Sequence, residues 1–410
     1  MGIFCLIITL LFLLNLLPTE LAFGIGGGVG LGVGIGGGGG GGGVWIGGGP
    51  QPQQPPPTPT STLNDAYIAL QTWKSAINDD PNHILTSWVG PNVCNYKGIF
   101  CSYNYNNINV VTAIDLNYAN LRGVLVKELS FLTELTILHL NSNRFSGKIP
   151  ENFKDFGFLS ELDLSNNNFS GTFPISVIYM PNLVYLDLRF NSFSGELPDD
   201  LFNKQLDAIL VNNNQFSGEI PQSLGNSPAS VINLANNRFS GGIPASLGFV
   251  NSRLKEILFL NNQLSGCIPE GVGLFSDMQV LDVSYNTLMG HVPDTLSCLD
   301  DIQVLNLAHN KLSGELSDVV CSLKNLVNLS VEYNFFSGLS QKCSNLFLRS
   351  VGFDFSLNCI PGKGMQRPPP DCSMIPGFGG SCPSIPSTKP LVCGNLLDLL
   401  LNLGNDPSSP

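Results

Sequence analysis

The chain has 410 residues and a formal net charge of −12, with only 12% charged residues, 45 glycines, 28 prolines and 11 cysteines. That acidic balance argues against a nucleic-acid partner and leaves basic ligands as the electrostatically favoured class. Residues 24–59 are dominated by Gly and then Pro and Gln, which separates a low-complexity segment from a core-forming remainder.

The first element is a leader: Ile3 to Leu17 is apolar over signal-peptide length, too short to span a bilayer, and Ala22-Phe23-Gly24 supplies a small-x-small cleavage site. Residues 1–24 are therefore expected to be a secretory signal. Residues 25–61 are almost all Gly, then Pro and Gln, and are expected to form a linker without a core, since neither composition can bury apolar surface. Cys5 falls within the leader, which leaves ten cysteines, an even number suited to an oxidising compartment.

Residues 62–110 read as a cap. Asn64 is placed as an N-cap, followed by Ala66, Ala69, Leu70, Trp73 and Ile77 on one helical face, and Asp79-Asp80-Pro81 stops the helix. Cys94 and Cys101 flank a short loop and are expected to pair. A solenoid needs such an element, because its first coil otherwise exposes its apolar end.

Residues 111–358 carry one pattern about eleven times. Leu138, Leu140, Asn143, Phe145 and Gly147 define it as L-x-L-x-x-N-x-F-S-G. The Asn returns at 167, 191, 214, 237, 262, 286, 310, 334 and 358, with Ala119 in the first slot, so the period is 23–25 residues. Alternating apolar positions before each Asn predict a short strand, and the Asn is expected to bond neighbouring backbone in a ladder. Leu121, Phe145, Phe169, Phe193, Phe216, Phe239, Leu264, Leu288, Leu312, Phe336 and Ile360 then form an apolar spine, assigned to the core. The fold class is α/β, a leucine-rich-repeat solenoid with a parallel sheet on its concave face, on the order of 50 Å long at the usual strand spacing.

The Ile-Pro ending of the repeat, as in Phe216-Ser217-Gly218-Glu219-Ile220-Pro221, resembles the plant-specific leucine-rich repeat of receptor kinase ectodomains and polygalacturonase inhibitors. Two flanks narrow the match: Asn92-Val93-Cys94-Asn95-Tyr96-Lys97-Gly98-Ile99-Phe100-Cys101, with Tyr96 where the commoner cap has Trp, and Asn358-Cys359-Ile360-Pro361-Gly362-Lys363-Gly364-Met365-Gln366-Arg367. With Tyr333-Asn334-Phe335-Phe336-Ser337-Gly338 they resemble the N-terminal half of plant leucine-rich repeat extensins, over about 62–373. The resemblance implies a cell-wall protein whose solenoid binds basic, cysteine-rich rapid alkalinization factor peptides. It departs from the family after Cys372, where residues 374–410 form a short tail without Ser-Pro-Pro-Pro-Pro repeats.

Residues 359–373 are expected to form a C-terminal cap closed by Cys359–Cys372, and Cys382–Cys393 to close a small tail loop. Cys267, Cys298, Cys321 and Cys343 remain, with Cys298–Cys321 and Cys321–Cys343 both compatible with the repeat offset. On the concave face, the position four before each Asn carries Asp115, Asp163, Asp187, Asp282 and Asp354, and the position one before carries Tyr118, Phe190, Tyr285, His309 and Tyr333. Exposed carboxylates interspersed with aromatics suit a basic peptide. An Asp163–Asp187 pair is expected to sit in an open, solvated sheet with nothing to raise either pKa, and no hydrolase or nucleotide motif accompanies it, so no enzyme, cofactor or metal is expected. His139 and His309 lie too far apart to share an ion. Asn168 and Asn328 head N-glycosylation sequons.

The function expected is therefore secreted peptide binding in the plant cell wall or apoplast. Inhibition of a polygalacturonase and a structural wall role are the alternatives. The partners considered are a secreted basic peptide or another extracellular protein, cell-wall polysaccharide, and a second copy of the chain, with no nucleic acid and no membrane span.

Overall fold

A computed structural model describes residues 63–248, 253–373, Cys382 and Cys393. The expected leader and linker lie outside these residues, as does most of the tail. Helix α1, Leu63–Ala76, buries Ala66, Ala69, Leu70 and Trp73. It starts at Leu63, so Asn64 lies inside its first turn and is not its cap. After it Ile77–Asp79 forms a strand antiparallel to Arg122–Val124, and Asp80 accepts bonds from the amides of Ile84 and Leu85.

In the cap, Trp88 stacks on Tyr96 with ring centroids 5.5 Å apart. The Tyr96 hydroxyl donates to the Gly90 carbonyl and accepts from Gln71, two bonds that fix the loop and that the indole of a Trp could not make together. The Cys94–Cys101 disulfide closes the same loop.

The repeats build a 12-stranded sheet that begins with the antiparallel pair Ile99–Tyr103 and Asn109–Asp115 and continues in parallel register to Gly352–Asp354. Along it each central Leu or Ile faces the core, as at Leu138, Leu162, Leu186 and Ile209, while its strand neighbours face the concave side. A second ladder, which the residue pattern did not announce, runs through the Phe-Ser-Gly segments as a 7-stranded and then a 4-stranded sheet. Its serines reach back one coil, as Ser146 to the Gly123 carbonyl and Ser337 to that of Gly314. Short 3-10 turns such as Glu151–Asp155 and Ile175–Tyr179, each entered through a proline, complete the coil.

Between the sheets lies the spine. Phe145, Phe169, Phe193, Phe216 and Phe239 are fully buried, and consecutive rings stack at centroid distances of 6.2 to 6.5 Å. Trp73 of α1 stacks on Phe145 at 5.6 Å and so caps the column.

Each repeat Asn crosses the seam between coils. The Asn310 carboxamide accepts from the Leu288 amide at 3.0 Å and donates to the carbonyls of Val283 at 2.9 Å and of Leu307 and Ala308 at 3.2 Å. The same set recurs from Asn143 to Asn358. Buried backbone groups left by a tight turn are thereby satisfied without water.

The disulfide pattern corrects one expectation. Cys359–Cys372 and Cys321–Cys343 are present, but Cys382 pairs with Cys267 and Cys393 with Cys298. The tail cysteines therefore bond to repeats and not to each other, across separations of 115 and 95 residues. Room for the first of these bonds comes from Gly290, where a Cβ would overlap the Cys382 sulfur.

Two outcomes follow from these contacts. Asn310→Ala removes a carboxamide that serves four buried backbone groups, and is expected to lower stability by roughly 1–3 kcal/mol, read as a shift in the urea midpoint. Gly290→Val is expected to block the Cys267–Cys382 bond, so that two free thiols become detectable by mass-shift labelling of the denatured protein; complete pairing in that variant would contradict the placement.

Candidate functional site on the concave face

The residue just before each repeat Asn has a left-handed backbone, with φ of 52° to 56° from Tyr118 to Leu357. That geometry follows from the ladder, since turning the Asn inward throws the preceding residue outward. Asn tolerates it best, and Asn fills the position at 166, 213, 236 and 261. Bulky residues there are strained by about 1–2 kcal/mol each. Tyr118, Phe190, Tyr285, Tyr333 and Leu357 accept that strain, while His309 is better suited to the turn. Strain held against a cheaper available residue points to a use for the side chain.

Three of the five sequence candidates come together. Tyr285 and His309 stack at 4.0 Å and His309 and Tyr333 at 4.1 Å, with planes within 15° of parallel. Tyr285 is 50% exposed and Tyr333 42%, and His309 between them is half-buried. Tyr118 is also exposed but lies seven strands away, and half-buried Phe190 is four strands from Tyr285, about 20 Å at the usual spacing. The five sequence candidates thus divide into one ledge and two isolated positions.

Three residues the sequence reading did not single out complete the ledge. Glu332, in the column two before the Asn, places its carboxylate 3.9 Å from His309 Nε2. Arg367 of the C-terminal cap lies over the Phe335 ring at 4.4 Å and near the Tyr333 ring at 5.9 Å, and its Nε donates to the Asn334 carbonyl. Burial and the Arg367 charge hold the His309 pKa below its ordinary value. The imidazole is therefore neutral at neutral pH, and the stack has no net charge of its own.

The acidic column does not have the exposure expected of it. Asp163 is 6% exposed, Asp187 0% and Asp282 4%. Each accepts a bond from the amide two residues on, as Asp163 from Ser165 at 2.9 Å, Asp187 from Arg189 at 3.0 Å and Asp282 from Ser284 at 2.9 Å. These carboxylates close the strand end and are covered by in-register neighbours, so they are removed as contacts for a ligand. Asp115 makes the same bond to Asn117 but is exposed, and Asp354, bonded to Ser356, is half-buried.

The Asp163–Asp187 pair also departs from expectation in its proton affinity. Asp187 is pushed up to about 8, first by burial and then by the Asp163 charge, against the pull of Arg189 at 3.0 Å. Burial raises Tyr185 beside it, with the Asp187 charge as the next cause. The pair is not in an open sheet. With Asp187 covered, its raised pKa belongs to the scaffold. His139 bonds Glu161 at 3.0 Å, and no group of three or more metal-ligating side chains occurs among the described residues. Asn168 is exposed on its strand and Asn328 half-exposed on the concave sheet, five residues before Tyr333.

Matches to known proteins follow this geometry. Residues 63–102 match the leucine rich repeat N-terminal domain, and residues 133–193, 230–250 and 301–323 match leucine rich repeat models. Over 153 residues, 37% of this chain, the sequence is 64% identical to leucine-rich repeat extensin-like protein 4 of Arabidopsis thaliana. The capped repeat domain is thus similar to leucine-rich repeat extensin-like proteins. A second relative, leucine-rich repeat extensin-like protein 2 of Arabidopsis thaliana, is 48% identical over 55% of this chain. The matches span 31% and 29% of those two proteins. In structure, the chain is similar to the Arabidopsis receptor kinase HAESA in complex with the peptide hormone IDA and the co-receptor SERK1, with a TM-score of 0.60 and 26% identity over 72% of this chain and 50% of that one. Among the described residues no helix is long and apolar enough to cross a membrane.

A pH dependence follows from the covered acids. The folded pKa of Asp187 lies above its ordinary 3.8, so the stability it contributes is full below about pH 4 and is lost as pH rises through about 8. Burial raises Asp282 and Glu256 in the same sense. The thermal midpoint is expected to fall between pH 5 and pH 8.5, and Asp187→Asn to flatten that fall, since Asn233 and Asn306 make the equivalent amide bond elsewhere in the column. A midpoint independent of pH in the unmodified chain would show that the pair carries no such linkage.

Proposed function

We propose that this protein is a secreted, non-enzymatic cell-wall binder, whose solenoid takes a basic, cysteine-rich peptide of the rapid alkalinization factor class on the concave ledge formed by Tyr285, His309 and Tyr333. The observation that carries the reading is that ledge: three rings, two of them tyrosines in strained turns, stacked and open to solvent where Asn would have served the fold. The likeness to a receptor ectodomain described with a peptide hormone supports a peptide as the ligand class. Similarity to extensin-like proteins supports a cell-wall location. Five disulfides joining ten cysteines among the described residues support an oxidising, extracellular compartment.

Asp115, Asp354, Tyr118 and Phe190 are secondary contacts in this reading, because an extended peptide crossing several strands passes them. Glycans on Asn168 and Asn328 would restrict approach. One on Asn328 stands at the far end of its strand from the ledge, about 15 Å from Tyr333 by strand rise, and so leaves the rings free.

Calorimetry of the secreted chain against a rapid alkalinization factor peptide tests the reading, with inhibition of a fungal polygalacturonase as the parallel assay. Micromolar or tighter binding without inhibition is expected; inhibition without peptide binding would move the function to the polygalacturonase. The triple variant Tyr285→Asn, His309→Asn, Tyr333→Asn is expected to keep or raise the thermal midpoint, because Asn suits the left-handed turn, and to weaken peptide binding at least tenfold. Unchanged affinity would place the contact away from the ledge.

A further inference from the structure

The charges around the ledge say what chemistry its ligand carries. One end already holds a guanidinium. Arg367 lies 4.4 Å from the Phe335 ring centroid and 5.9 Å from that of Tyr333, and its Nε is bonded to the Asn334 carbonyl at 2.8 Å. The protein thus shows with its own side chain how this face takes an arginine: over an aromatic, with a backbone acceptor at the edge. The other end, Tyr285, is half exposed.

Against the middle ring stands a carboxylate without a cation. Glu332 lies 3.9 Å from His309, and its charge is felt at the Tyr285 hydroxyl. No Lys or Arg among the described residues forms an ion pair with it, and His309 is held neutral. From the adjacent strand Asp354 faces it and accepts a hydrogen bond from the Glu332 carboxyl. The groups around Glu332 are therefore Tyr285, His309 and Asp354, with Arg367 and Tyr333 beyond His309. An aromatic platform next to an unpaired acid complements a guanidinium better than an ammonium, whose compact charge gains less from a ring face.

Resting on the peptide-binding reading, we propose that an arginine of the bound peptide lies along the solvent side of the Tyr285–His309 stack and pairs with Glu332, and that the proton Glu332 shares with Asp354 leaves for solvent as the pair forms. No bond other than that O–H is broken, and the buffer takes the proton. Burial, the bond to Asp354 and the Asp354 charge push Glu332 up to about 7. At Asp354 burial acts in the same direction, but bonds from the Ser356 amide, Glu332 and the Ser356 hydroxyl outweigh it and hold that carboxyl below its ordinary value. The proton therefore sits on Glu332. A bound cation favours the ionised form, so affinity rises with pH up to about 7 and levels off above it.

The test is calorimetry of the full secreted chain with tetra-arginine amide and with tetra-citrulline amide, which keeps the shape and loses the charge, at pH 6.0 and 7.5 in two buffers of different ionisation enthalpy. Tetra-arginine is expected to bind roughly five- to tenfold tighter at pH 7.5 than at pH 6.0, with close to one proton released near pH 6. Tetra-citrulline is expected to bind more weakly at both. Glu332→Gln should abolish the pH dependence, whereas His309→Asn should lower affinity and keep it. Equal affinity for the two peptides, no proton release, or a pH dependence that survives in Glu332→Gln overturns the assignment. Binding of the cysteine-rich peptide without binding of tetra-arginine also overturns it while leaving the peptide-binding reading intact; if neither binds, both fall.

Discussion

The rest of the structure depends on one buried carboxamide per coil. A coil of 23–25 residues must turn sharply after its strand, and the turn strands backbone groups where water cannot reach them. The Asn of the following coil reaches back to satisfy them: its oxygen takes the amide 21–23 residues behind and its nitrogen the carbonyl 26–28 residues behind, as Asn237 does for Phe216 and Val211. No coil is complete without the next. The same logic explains the first slot. An Asn at position 119 would reach back to the cap, where the Lys97 amide is already bonded to Ser87, so Ala119 suffices, and Asn82 supplies the partner for its carbonyl.

The ladder then dictates where function can be written. Because the Asn points inward, the residue before it is forced to positive φ with its side chain outward. That column is costly for most residue types, least so for Gly, Asn, Asp and His. Asn fills it in four turns, and Ser142 and Leu357 also occupy it; the tyrosines at 285 and 333 run against the backbone's preference. The acidic column has the opposite character. Asp163, Asp187 and Asp282 improve the fold by bonding amides two residues on, so their presence is explained without a ligand.

This division marks what could be read from the residues. Strand, Asn turn and Phe spine were legible because repetition multiplies a weak local pattern into a strong one. The Phe-Ser-Gly ladder was not, since a strand of Ser and Gly has no apolar alternation and is made by the coil before it. Period-2 reasoning assigned Asp187 to the concave face but could not say that Tyr185, Arg189 and Asp163 would cover it. The aromatic column was visible as five separate residues, while the joining of three of them needed the register. Glu332 and Arg367 were overlooked because one sits in a column with no repeated chemistry and the other arrives from the cap. The tail disulfides join residues 115 and 95 apart, a separation at which spacing carries no information.

Protonation acts in opposite directions on the scaffold's stability and on cation binding at the ledge, which makes the two separable. Asp187, Asp282 and Glu256 have their proton affinity raised inside the fold, so mild acid tightens the coils. Glu332 is raised as well, but at a surface where the ionised form is the one a cation can use. Lowering the pH therefore stabilises the rod while it discharges the carboxylate at its binding face. A loss of ligand in acid cannot then be ascribed to loosening of the solenoid. Nor can tighter binding near neutrality be ascribed to a firmer one, because the covered acids are by then weakening it. What remains to account for any such dependence is the chemistry of the ledge, a few side chains held in place by a ladder that has no part in it.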